Sequence, residues 1–218
     1  MRPATTAAQA TDGARGSARA RCLTAALDLM AGEGFNGTSM RDIARAAETS
    51  LSNLYNHFES KSDVLVALLR DANDELLRRI RAELDTAGAS AAERMAAGVR
   101  AYVTYSGERQ PAAVLALSEF RYLRGEGRVA VVQARDTVES LFRAIVADGV
   151  RTGEFGTPHP EGATRAIVSI CAAIPTWYRP DGPLSLSELA DVHVRYVLAM
   201  LEATAVTAER SPDAQPRT

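Results

Sequence analysis

Lysine is almost absent from this 218-residue chain: of its 25 basic residues only Lys61 is a lysine, and the rest are arginines. A GC-rich genome would encode that bias, together with the abundant alanine, so the bias alone carries no function. It leaves Lys61 alone where a compact point charge is wanted. Cysteine is scarce too. Cys22 and Cys171 fall on apolar faces of predicted helices, with no CxxC or Cys/His spacing, which argues against a disulfide framework and a zinc site and for packing in a reducing compartment. No apolar run has the length of a membrane span, and the N-terminus lacks the apolar stretch of a signal peptide, so a cytoplasmic protein is expected. A net charge of −2 and a pI near 6.0 give no bulk attraction to nucleic acid; any such binding needs a local patch. His57, His159 and His193 have no nucleophile or metal partner at a readable spacing, so no enzyme, cofactor or metal site is expected.

What is present is helical periodicity throughout. Residues 1–18 are small, polar and aperiodic and predict a disordered arm carrying Arg15, with Arg19 and Arg21 leading into the first helix. Leu23, Ala26, Leu27 and Met30 mark that helix, which stops at Gly32 and Gly34. Ser39 with Asp42 resembles a capping box opening a second helix over 40–47, and a third follows over 51–58. Ser60 with Asp63, Ser90 with Glu93 and Ser185 with Glu188 open the fourth, fifth and ninth helices. Pro111 opens a sixth ending near Gly125, a seventh runs from about 127 to 151, and an eighth reaches from Pro160 to Tyr178. No strand pattern competes. The expected fold is all-α, with about nine helices: a three-helix domain over 19–62, a larger helical domain over 63–208, and a disordered tail over 209–218.

The segment TSLSNLYNHFESK, residues 49–61, raises a question of purpose. Leu51, Leu54, Tyr55 and Phe58 recur at i, i+3, i+4 and i+7 and define a core face. The other face carries Ser52, Asn53, Asn56 and His57, weak helix formers with short donors and acceptors. Helices two and three, joined by a tight turn, make a helix-turn-helix candidate whose third helix enters the major groove. Asn pairs bidentately with adenine and Ser donates or accepts, so Ser52, Asn53 and Asn56 are the candidate base readers. Thr38, Ser39, Arg41, Thr49, Ser50, Tyr55, His57 and Lys61 are candidate contacts around them, chiefly to phosphate. Residues 1–61 hold seven basic and six acidic side chains, so the cations must gather on one face, and a dimer would double the phosphate contacts.

The run AALDLMAGEGFNGTSMRDIARAAETSLSNLYNHFESK, Ala25 to Lys61, resembles the DNA-binding domain of the tetracycline-repressor (TetR) family. LYNHFESK matches the family's LYxHFxxK signature, and the likeness extends from Ala20 to Leu69. One departure stands out: Glu48 occupies the turn position where the family usually has glycine. Glycine there serves a positive φ, which a residue with a Cβ adopts at a penalty of roughly 1 kcal/mol. The carboxylate would also repel phosphate.

The resemblance implies that the second domain holds a small-molecule cavity and builds a homodimer from its last two helices. Ile167, Ile170, Cys171 and Ile174, with Leu189, Val197 and Met200, supply two wide apolar stripes for a four-helix bundle with the partner, or for burial within the monomer. Tyr102, Tyr105, Phe120, Tyr122, Phe142, Trp177 and Tyr178 are candidate cavity walls. The turn WYRPDGPLS, Trp177 to Ser185, resembles the TetR subgroup that controls lipid and sterol catabolism and commonly senses acyl-CoA thioesters. Arg109, Arg121, Arg124 and Arg179 are its candidate phosphate cations. The function implied is a repressor that binds a palindromic DNA operator as a homodimer and leaves it when an effector such as an acyl-CoA binds. A ligand-independent DNA-binding regulator, or a small-molecule-binding module with a weakened DNA motif, remains the alternative.

Overall fold

A computed structural model describes the backbone of residues 6–204 and the side chains from residue 17. Nine α-helices are present among the described residues: α1 (Thr6–Gly37), α2 (Met40–Ala46), α3 (Leu51–Tyr55), α4 (Lys61–Thr86), α5 (Ala91–Glu108), α6 (Gln110–Ser118), α7 (Gly125–Thr152), α8 (Pro160–Ala173) and α9 (Leu186–Met200). Short 3₁₀ turns at Glu119–Tyr122 and Ile174–Thr176 follow α6 and α8. Strands are absent among the described residues, apart from one isolated bridge between Phe155 and Ala203.

Four boundaries differ from the sequence expectation, among them α3, which ends at Tyr55 rather than at residue 58. Helix α1 begins at Thr6, inside the arm expected to be disordered. The residues there include Ala7, Ala8, Ala10, Ala14 and Ala18, and alanine's helix propensity outweighs Gly13 and Gly16. Helix α8 stops at Ala173 rather than Tyr178, because Pro175 lacks an N–H and its ring clashes with the preceding turn of an α-helix. Helix α6 ends at Ser118 rather than near Gly125, tightening into the 3₁₀ turn. The expected tail over 209–218 lies outside the described residues.

The chain packs as two units. The first takes in residues up to 72 and returns for 111–132; the second comprises 73–110 and residues from 133 on. The division expected at 62/63 falls in the first turn of α4, and both α4 and α7 run from one unit into the other.

In the first unit Cys22, Ala26 and Met30 of α1, Ile43 and Ala44 of α2, Leu54 of α3 and Val64, Leu65 and Leu69 of α4 share a core with Leu115, Leu123 and Val131. Complete burial of a side chain such as Leu54 contributes about 1.5–3 kcal/mol. Helix α1 is interrupted at Gly34, whose φ of 74° suits glycine, so the helical run ends where the sequence predicted.

In the second unit α5 packs against α8 and α9. Met95, Val99, Tyr102 and Val103 are buried, facing an interior that also holds Ile167, Cys171, Leu189, Val194 and Val197. Gly107 permits the approach: a Cβ there would lie 2.4 Å from Leu186 Cδ1. An Arg100–Asp191 ion pair joins α5 and α9 at the surface. Gln110 Nε2 donates to the carbonyls of Pro175, at 2.8 Å, and Tyr178, at 3.1 Å, fixing the turn after α8.

Candidate nucleic-acid interface

The interface is built from two capped helices. Ser39, in an extended conformation, caps α2, and a full capping box links its hydroxyl and N–H to Asp42. The Ser39 hydroxyl, and the Arg45 guanidinium 2.6 Å from Asp42 Oδ1, hold the Asp42 carboxyl below its usual range. Helix α2 closes with Thr49 N–H donating to Ala44 O at 3.0 Å and Glu48 N–H to Arg45 O at 3.2 Å. That pair of bonds is a Schellman closure, and it places the intervening residue in the left-handed region. Glu48 sits there with φ 51°, the conformation foreseen from the glycine-like position.

Ser50 then caps α3, accepting from Asn53 N–H at 3.1 Å. Ser52, Tyr55 and Asn56 are all exposed, and their i, i+3, i+4 spacing places them on one outward face. Tyr55, assigned to the core face by periodicity, is 47% exposed, because α3 ends at Tyr55 and leaves only Leu54 and Phe58 fully in the core. Arg41, Arg45, Arg19 and Arg21 are exposed as well.

Four residues expected to touch DNA are occupied internally. Asn53 Nδ2 donates to Thr49 Oγ1 at 2.8 Å, so both side chains brace the start of α3. Thr38 is 1% exposed and its hydroxyl donates to Gly34 O at 3.0 Å. Lys61 Nζ donates to Phe35 O at 2.6 Å and Thr38 O at 2.7 Å and lies 4.3 Å from the centroid of the Phe35 ring. Carbonyls converging after the glycine kink form a small cation cradle, which explains a lysine here. His57 is half-buried; its Nε2 is the buried side-chain nitrogen without a hydrogen-bond partner among the described residues.

Local spacing could not find Phe35, Asn36 and Glu119, and Tyr122, expected at a cavity, lies against them instead. Phe35 N–H donates to Glu119 Oε2 at 3.1 Å, Asn36 Nδ2 donates to the Tyr122 hydroxyl at 3.1 Å, and the Phe35 and Tyr122 rings stack at 5.2 Å. The isolated lysine was the one signal that this loop is special.

The expected cavity residues are spread over both units. Phe120 and Arg121 belong to the first; Arg128 lies 4.3 Å from the Phe120 ring, and Arg121 is exposed. In the second, Tyr102 and Phe142 are buried with rings 6.2 Å apart, and burial raises the Tyr102 and Tyr105 hydroxyls well above their ordinary range. Cys171 is pushed up to about 12 by the same cause, which makes it inert. Tyr178 is buried, whereas Trp177 and Arg179 are exposed. Arg109 pairs with Glu75 at 3.0 Å, and Arg124 donates to the Arg121 and Leu123 carbonyls.

The apolar stripes assigned to a dimer are largely interior: Ile167, Cys171, Ile174, Leu189 and Val197 are buried within the single chain. The helices are short, and packing α5 against both consumes those faces. What the second unit exposes instead is Trp177, at 50%, and Tyr196, at 61%. His193 lies between them, 6.2 Å from each ring, with Nδ1 donating to Leu189 O at 2.8 Å.

Two capped helices joined by a Schellman turn, the second with a polar outward face, define a helix-turn-helix DNA-binding protein. Comparison with known proteins places it further. The chain belongs to the TetR family of bacterial transcriptional regulators: the family described as bacterial regulatory proteins, tetR family, matches residues 23–68, and the tetracyclin repressor-like C-terminal domain matches residues 88–201. The chain is 29% identical over 184 residues to the HTH-type transcriptional repressor KstR2 of Mycolicibacterium smegmatis, spanning 84% of this chain and 89% of that one. It is 30% identical to the TetR family regulator PfmR of Thermus thermophilus, with a TM-score of 0.74 over 84% of this chain and 98% of PfmR. AibR, solved in complex with isovaleryl coenzyme A and operator DNA, shares the fold at 21% identity, with a TM-score of 0.76 over 85% of this chain and 99% of its own. These relatives are regulators rather than enzymes. No helix among the described residues is long and apolar enough to cross a membrane.

Proposed function

We propose that this protein is a cytoplasmic repressor that binds a near-palindromic operator as a homodimer and releases it when a small acyl-CoA thioester binds the second unit. The observation that carries the DNA half is the face of Ser52, Tyr55 and Asn56, exposed on a helix capped at both ends of the turn before it. Asn56 is suited to a bidentate contact with adenine and Ser52 to a flanking base edge. Arg41 and Arg45, with the Ser39 and Ser50 caps, are suited to the phosphates on either side, and Tyr55 offers a hydroxyl to the backbone. Asn53, Thr49, Thr38 and Lys61 then act by holding the frame.

Dimerisation is assigned to the surface around Trp177 and Tyr196, large apolar side chains that water does not favour. The effector class rests on relatives. Several repressors named KstR2 resemble the chain, and AibR has been captured with both an acyl-CoA and its operator. A coupling of about 1–3 kcal/mol between ligand and DNA suffices for such a switch.

One feature favours ligand-independent regulation: Tyr102 and Phe142, expected to line a cavity, pack as core side chains. A single experiment separates the readings. Operator DNA is recovered by genome-wide pull-down and sequencing, then titrated in a gel shift with a panel of short acyl-CoA thioesters and the matching free acids. Release by a thioester and not by its acid supports the proposal. Tight binding that no member of the panel alters leaves the ligand-independent regulator, and recovery of no preferred sequence refutes both.

A further inference from the structure

Two stretches far apart in the chain converge on Phe35–Thr38, the end of α1 beyond the Gly34 kink and the residue that follows it. From the start of α4, the Lys61 ammonium binds the Phe35 and Thr38 carbonyls. From the 3₁₀ turn after α6, Glu119 accepts from the Phe35 N–H, while Tyr122 stacks on the Phe35 ring and accepts from Asn36. Locally, the Gly34 carbonyl at the kink accepts from the Thr38 hydroxyl. The next residue, Ser39, caps α2, so the position of this loop sets where α2 starts and how α3 is presented.

Glu119 is 6% exposed. A carboxylate this buried ordinarily has a close cation, yet Arg121 stands at the outer limit of pairing, 4.0 Å away, with its own side chain exposed. The Phe35 N–H is therefore its principal hydrogen-bond donor, and retaining a buried carboxylate for a backbone amide of a remote loop makes sense if that loop must not drift.

We infer that Glu119 is a positioning residue for operator binding, although it lies 84 residues beyond the loop it holds and is too buried to reach DNA. The inference rests on the DNA-binding reading above. It goes beyond that reading by giving DNA affinity a determinant outside the helix-turn-helix.

The test compares wild type, Glu119→Ala and Glu119→Gln in operator titrations at several salt concentrations, with hydrogen exchange followed at the Phe35 amide. Losing the buried acceptor should weaken operator binding about tenfold in Glu119→Ala. The slope of log affinity against log salt should not change, since no phosphate contact is removed. The Phe35 amide should exchange faster. Glu119→Gln keeps a carbonyl acceptor and should bind within about twofold of wild type. Should Glu119→Ala fail to fold, Tyr122→Phe removes only the acceptor for Asn36 and should weaken binding at constant slope. Wild-type affinity in a folded Glu119→Ala, or in Tyr122→Phe where Glu119→Ala does not fold, overturns the inference, as does a changed salt slope in either. A wild-type protein that prefers no DNA sequence defeats the underlying DNA-binding reading instead.

Discussion

Replacing Lys61 with methionine removes the ammonium while keeping a stem of similar length. Two carbonyls, at 2.6 and 2.7 Å, lose a charged donor, and the Phe35 ring loses a cation 4.3 Å from its centroid. Hydrogen bonds to charged groups are worth about 1.5–3 kcal/mol each, and a cation over a ring adds about 0.5–2 kcal/mol. Burying the methionine thioether and freeing the lysine from desolvation offset part of this, leaving a net loss of about 2–3 kcal/mol. In a chain of this size that lowers Tm by about 5–10 °C. Urea unfolding and salt-dependent operator titration should be measured on the same preparation. The clamp predicts reduced stability, weaker binding to every sequence and an unchanged salt slope. Stability equal to wild type, with the slope reduced by about one, would show that Lys61 contacts a phosphate and refute the reasoning.

Glu48→Gly relieves the left-handed strain but frees the unfolded chain, so calorimetry should show a gain of about 0.5 kcal/mol; a loss would mean the φ of 51° is not strained. Asn53→Ala should lower stability by about 1 kcal/mol and leave base preference intact, whereas Asn56→Ala should relax preference at one position, as selection from a randomised operator pool will read. Tyr196→Ser with Trp177→Ser should raise the dimer dissociation constant by more than tenfold in analytical ultracentrifugation; an unchanged constant moves the interface elsewhere. Asp42, Glu93, Asp148, Glu154 and Glu188 all have carboxyls held below their ordinary range, the capping-box serines leading for Asp42, Glu93 and Glu188. A depressed folded-state pKa contributes stability above the unfolded value and loses it as pH falls through the folded one. Unfolding free energy should therefore be flat near neutrality and fall below about pH 4.

The helical architecture was legible because its signals are local. Ser39/Asp42, Ser90/Glu93 and Ser185/Glu188 act over one helical turn, and the structure forms each box. The strain at Glu48 was legible only through the family resemblance, which marks a turn position that glycine usually fills. Roles that depend on distant partners were not. Lys61 has a side chain that suits DNA, and only the fold reveals the Phe35 and Thr38 carbonyls, 26 and 23 residues away, that occupy it. Periodicity likewise identified the apolar faces of α8 and α9 but not what covers them; α5 does, and the exposed aromatics lie at other positions. Glu119 was invisible, its meaning resting on a backbone amide separated from it by five helices.

The most direct measurement is a hydroxyl-radical footprint of the recovered operator with wild-type protein and with Ser52→Ala/Asn56→Ala. Two protected patches about 34–36 Å apart along the duplex, both lost in the double variant, are predicted. A single patch, or protection that persists when the outward face of α3 is stripped, would contradict the account.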